Sequence, residues 1–201
     1  MTADRRLRIG GWAALLAALL TPIALGLLFL ASSSADPATS RPYLLAETAR
    51  VGALFVAAAG LDGIFRRLDP VLAGRIRTLG LAGAGTSLAL DAMLLAGFGP
   101  TPFDLLALPA SILLGLWFLG AGLVLLRAGR DLTRIGWTAL AGGVSAILAA
   151  IAVVVPLGGE VGETGYSIRD YVVMLGLLAA VFLVRIWRYA VGGRLPAPGI
   201  L

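Results

Sequence analysis

Four ionisable side chains, Glu47, Arg50, Asp62 and Asp91, fall inside long apolar runs of this chain. A charge in such a setting needs a partner, a cavity or a function. Glu47 and Arg50 share the stripe Glu47, Arg50, Leu54, Ala58, Leu61, Asp62, which follows the spacing of one helical face. Asp91 shares a face with Gly80, Ala84 and Ser87 and has no basic neighbour within a helical turn. Counting about 1.5 Å per residue from the run ends puts Glu47, Arg50 and Asp91 roughly 5–12 Å inside one membrane boundary. Asp104, Arg169 and Asp170 fall at the corresponding ends of two further runs. Together these residues are expected to line one outward-facing polar vestibule, and the chemistry they offer is ion or small-ligand binding and transport.

Ion pairing is the competing account of the same residues. Glu47 and Arg50 can neutralise one another at i, i+3, or Arg50 can pair with Asp91 and lock two helices together. Asp62 stands one turn before Arg66 and is expected to pair locally. The set as a whole reads as structural pairing, with Asp91 as the residue singled out for function.

The elements that must position these groups follow from composition. Apolar residues make up 59% of the 201 positions and charged residues 13%, against about a quarter charged in soluble domains. Six segments reach the roughly 20 apolar residues that cross a hydrocarbon core of about 30 Å: 9–31, 43–65, 76–97, 103–126, 135–155 and 171–189. The expected fold is therefore all-α, a single six-helix transmembrane domain over 1–201 with short polar links rich in Gly, Pro, Ser and Arg.

Arginine sets the orientation. Arg5, Arg6, Arg8, Arg66, Arg67, Arg75, Arg77, Arg127, Arg130, Arg134, Arg185, Arg188 and Arg194 gather on one side of the spans. Arg41 and Arg169 fall on the other. By the positive-inside rule the first group is cytoplasmic, which puts both termini there and the protein in a bacterial inner membrane. A net charge of +5 thus reads as topology, with membrane lipids as the neighbours and no nucleic-acid partner. The first apolar run exceeds the 7–15 residues of a signal-peptide core and reads as a span.

Absences narrow the chemistry. With no Cys and no His the chain has no disulfide, thiolate or imidazole metal ligand, and no histidine base. With no Lys there is no Schiff base and hence no retinal. No cofactor is expected, and a metal would need carboxylate and carbonyl oxygens, which suit Mg²⁺ or Ca²⁺. Asp62-Gly63 followed by Arg66 resembles a fragment of the aspartate-rich signature of membrane CDP-alcohol phosphotransferases. Ala59 replaces the first aspartate and the downstream pair is missing, so no enzyme is expected. The outer loop 156–170, with Glu160 and Glu163, reads as an exposed link.

Small residues recur at helical spacing: Gly80, Ala84 and Ser87 in the third run, Ser111, Gly115 and Gly122 in the fourth, Thr138, Gly142, Ser145, Ala149 and Ala152 in the fifth. They predict close helix packing. Tryptophan and tyrosine, including Trp12, Trp137, Tyr43 and Tyr189, are expected to form an interfacial belt, with Trp117 nearer mid-span. Arg8-Ile9-Gly10-Gly11-Trp12 ahead of the first run, together with 131–143 leading into the fifth, resembles bacterial six-span membrane families of unknown function. The resemblance covers the general layout and these two stretches, and implies the six-span bundle without an activity or site residues. The expected role is an accessory, assembly or structural subunit of a membrane complex. The alternative is a small oligomeric transporter or channel using Asp91, Glu47 and Arg50.

Overall fold

Runs rich in Ala and Leu favour helix, and only helices or closed barrels satisfy every backbone group in lipid. The computed structural model describes residues 3–33, 40–98, 103–154 and 168–192, and they form six helices without a strand. These are α1 (Ala3–Ser33), α2 (Ser40–Leu68), α3 (Pro70–Leu95), α4 (Phe103–Arg127), α5 (Arg130–Val154) and α6 (Ile168–Val191). Four stretches are long and apolar enough to cross a membrane: Asp4–Ala31, Ser40–Leu68, Pro70–Leu95 and Leu108–Arg127. In α5 the described apolar stretch is the shorter Leu132–Leu148.

The helices run past the expected apolar limits into the Arg-bearing turns, and two links shrink accordingly. Residues 66–75, expected as a polar link, are helical except for Asp69. Its carboxylate accepts from the Val71 and Leu72 amides at 3.1 and 3.0 Å, capping α3, and Pro70 occupies the first turn, where its missing N–H costs nothing. Between α4 and α5, Gly129 takes the left-handed φ of +115° that the reversal needs.

Each helix packs antiparallel on its chain neighbours, and α6 returns to α1 and closes a ring. Closure brings the Arg-rich helix ends together: the Arg185 guanidinium donates to the Arg134 carbonyl at 3.0 Å, and Arg67 approaches Asp4 at 3.8 Å.

The seams are made by glycine. A Cβ on Gly60 of α2 would lie 2.5 Å from the Cα of Gly10 in α1. Between α4 and α5, Gly115 faces Gly143 and Gly122 faces Gly136. Both glycine pairs repeat every seven residues, two helical turns, so they fall on one seam. The expected stripe on α5 is used differently: Gly142 packs on Ala179 of α6, while Gly136 and Gly143 serve α4.

Size is sorted inside out. Alanines 14, 17, 57, 58, 84 and 121 are buried, while Trp12, Leu16, Leu19 and Ile23 of α1 and Trp137, Val144 and Leu148 of α5 are exposed. Small residues inside and large apolar residues outside suit close helix packing in lipid, where burial of large side chains is not the driving force. Large side chains do enter the interior on the Arg-rich side. Trp117 and Phe182 are fully buried, Phe118 stacks between them at 4.8 and 5.6 Å, and Phe65, Leu125, Leu183 and Ile186 complete the cluster. Trp117 is thus a core residue, seated where Gly80 of α3 leaves room for its indole.

Candidate functional site

Away from the Arg-rich end, the inward stripes of α2 and α3 change character. On α2 the line of Leu54, Ala58, Leu61 and Phe65, all buried, continues upward through Arg50, Glu47 and Tyr43. On α3 the buried line of Ala73, Ile76, Gly80 and Ala84 continues through half-buried Ser87 to Asp91. The two continuations meet because α2 and α3 are antiparallel neighbours. Asp91 stands about 16 Å along α3 from the level of Trp117, counting eleven residues from Gly80.

Glu47 and Arg50 form a two-pronged ion pair. Arg50 Nε donates to Glu47 Oε2 at 2.8 Å, and an Nη group donates to Oε1. Both side chains are largely shielded, Arg50 at 24% and Glu47 at 19% exposure, so the pair is of the partly desolvated kind in which a lost partner is costly. Of the two pairings open to Arg50, the structure therefore takes the one within α2. Asp62 likewise pairs with Arg66 at 2.7 Å as expected, though its Oδ1 remains unbonded.

Asp91 is different. It is 9% exposed, and among the described residues no basic group lies within ion-pair distance of it. Its Oδ2 is buried with no hydrogen-bond partner. Glu47 and Arg50 are near enough for their charges to act on it, its own charge reaches Tyr43, and the Thr48 side chain lies within hydrogen-bonding reach. The one proton of the Thr48 hydroxyl, however, is directed to the Leu44 carbonyl at 2.7 Å. With every group ionised the cluster holds Glu47, Arg50 and Asp91 at −1, +1 and −1, leaving one negative charge uncompensated.

The structure thus brings Asp91, Glu47 and Arg50 into one cluster, with Ser87 a turn below Asp91 on the same face. Asp104 lies in the first turn of α4, and Arg169 and Asp170 in the first turn of α6. Those turns are at the same end of the ring, but the three side chains, and the loop with Glu160 and Glu163, lie outside the described residues. Among the described residues no three acidic side chains converge to hold a metal.

Two members of the cluster have no place in the expected site. Tyr43, assigned to the interfacial belt, stands four residues before Glu47 and seven before Arg50, a spacing that puts it on their face. Thr48 carries no such signal, since it is adjacent to Glu47 in sequence and joins the cluster only because α3 packs on its side of α2.

The two stretches behind the family resemblance have a packing explanation. Gly10 and Gly136 are both points of close helix approach, and Trp12 and Trp137, two residues and one residue on, face outward near the Arg-rich end. Comparison of the chain with protein-family models, with curated proteins and with solved structures finds no match, so the site is read from its own geometry.

Proposed function

We propose that the protein is a six-span integral membrane protein of a bacterial inner membrane, with its Arg-rich end and both termini cytoplasmic. Its role is that of a non-enzymatic accessory, assembly or structural subunit of a larger membrane complex. The observation that carries this reading is the closed interior. From Trp117 to the Arg-rich end the ring is filled mainly by aromatic and aliphatic side chains, with Asp62 paired to Arg66 at its margin, which favours a packed bundle over a conduit. The outward-facing stripe of Trp12, Leu16, Leu19 and Ile23 on α1 suits lipid or the apolar face of a partner subunit. The Arg distribution supports the orientation, and α5 and α6 are taken as spans on the strength of their complete sequence runs.

Purification from native membranes in mild detergent, with stoichiometry by mass spectrometry, tests the reading. A partner retained at a fixed ratio, and retained again when the partner carries the tag, is the expected result. A lone chain or a homo-oligomer overturns it.

One observation favours a second reading, a small oligomeric transporter or channel: Asp91 is an intramembrane carboxylate without a cation, the kind of residue that marks ion pathways. That reading requires Asp91→Asn to abolish flux in vesicles while the protein still folds, and normal flux in the variant excludes it.

A further inference from the structure

The unbonded Asp91 oxygen poses a specific problem. It is buried, the neighbouring acid Glu47 already holds Arg50 by two hydrogen bonds, and the neighbouring Thr48 hydroxyl donates its proton to the Leu44 carbonyl. With that proton on Leu44, Thr48 has only lone pairs left to offer a carboxylate that also has only lone pairs. Two acceptors facing one another in a low-dielectric site repel unless something positive lies between them. Arg50 does not fill that place, because it turns Nε and an Nη group to Glu47 and brings no nitrogen within ion-pair distance of Asp91.

We infer that Asp91 is a proton-binding site, in which a carboxylic O–H on Asp91 donates to the Thr48 hydroxyl and brings the Tyr43–Glu47–Arg50–Asp91 cluster to zero net charge. The step is simple in balance. A hydronium ion delivers one proton, an O–H bond forms on the carboxylate, and a water molecule leaves. No redox partner or second substrate takes part.

A proton suits the site better than a metal ion. The described side-chain oxygens around Asp91 belong to Thr48, Tyr43 and Glu47. Both of the Glu47 oxygens are held by Arg50, so the set falls short of the six or more that Ca²⁺ takes or the octahedron that Mg²⁺ demands. One missing positive charge also matches one proton. The groups facing Asp91 from α2 are Tyr43, Glu47 and Arg50. From α4, the other helix packed on α3, residues 108–126 bring no ionisable side chain, and Asp104 lies beyond the described side chains. The inference does not depend on whether the protein is a subunit or a carrier, since it is read on the isolated chain.

Infrared difference spectroscopy of the full-length protein in lipid tests it directly. The expected spectrum contains a protonated-carboxyl stretch at mildly acidic pH, where a free aspartate is ionised, and loses it as pH rises. Labelling the aspartate carboxyl carbon with ¹³C moves the band to lower frequency in the wild-type protein, so the result does not hinge on a variant that folds. The band is lost in Asp91→Asn and kept in Asp62→Asn. Absence of any label-sensitive band at mildly acidic pH overturns the proposal, as does a band lost in Asp62→Asn and kept in Asp91→Asn. A third overturning result is a saturable rise in thermal stability with Na⁺ or K⁺ over choline at constant ionic strength, absent from Asp91→Asn, because it identifies a metal cation as the occupant. Ten times the half-saturating concentration would raise the midpoint by about 3–6 °C in that case.

Discussion

From the level of Trp117 to the Arg-rich end, the interior of the ring is aromatic and aliphatic; toward the opposite end, the same inward stripes of α2 and α3 carry Tyr43, Glu47, Arg50, Ser87 and Asp91. The helices are the same and so is their packing order, yet one half is mostly apolar, with buried Asp62 paired to Arg66 at its Arg-rich margin, and the other collects polar groups. Trp117 seats against Gly80, where large meets small and the space is filled. Asp91 sits eleven residues beyond Gly80 on the same helix. Like Asp62 Oδ1 and Trp117 Nε1, its Oδ2 is buried and unbonded, but unlike Asp62 it has no ion-pair partner among the described residues. The difference separates what holds the ring together from what can respond to a ligand, because close packing resists change whereas a polar group with an unmet requirement changes state when that requirement is met.

Truncating the packed half tests this division most severely. Trp117→Ala is expected to cost about 3–5 kcal/mol, since the cavity left between α3 and α4 cannot refill from helices already in contact. Equilibrium unfolding in mixed micelles measures it, and a cost below about 1 kcal/mol would mean that the interior core does not hold the ring. The helix seam ranks next. Gly60→Ala places a Cβ against the backbone of Gly10 and the Arg6 carbonyl, and overpacking of this kind costs about 1–3 kcal/mol.

Within the polar half the two acids are expected to behave unequally. Glu47→Gln removes the counter-charge of Arg50 and costs about 1–2 kcal/mol after allowance for partial exposure. Asp91→Asn breaks no ion pair and shifts stability by less than about 1 kcal/mol. Equal costs for the two would show that Asp91 belongs to the ion pair after all. The smallest effect has the opposite sign. Gly63, three residues after Gly60, is exposed, and a Cβ there meets nothing within 4 Å, so Gly63→Ala is expected to gain about 0.5–1 kcal/mol from reduced backbone entropy in the unfolded chain. Thermal unfolding of the two glycine variants side by side separates a seam glycine from a tolerated one.

The helices were legible because lipid-compatible runs of Ala, Leu and Val leave few alternatives, and their ends because arginine clusters beside them. The start of α3 lies six residues before its apolar run, and its signal stands in the chain: Asp69-Pro70 is a cap followed by a first-turn proline, while Arg75 and Arg77 give a helical turn the composition of a polar link. In the polar cluster, the pairing of Glu47 with Arg50 was one of two options that spacing allowed. Choosing between them required knowing where the α2 and α3 backbones bring Asp91, which a one-dimensional pattern does not contain.

Local chemistry thus determined the all-α class, the apolar runs, the common side of the arginines and the isolation of Asp91 from any basic residue on its own helix, because each depends on neighbours within a few turns. Tertiary structure alone decided that α6 closes on α1, that Gly136 and Gly143 rather than Gly142 face α4, that Trp117 fills the interior, and that Tyr43 and Thr48 join Asp91. Those outcomes depend on the rotation of each helix against its neighbour, and where small residues lie on more than one face, as on α5, the sequence permits several rotations. The packed ring adopts one.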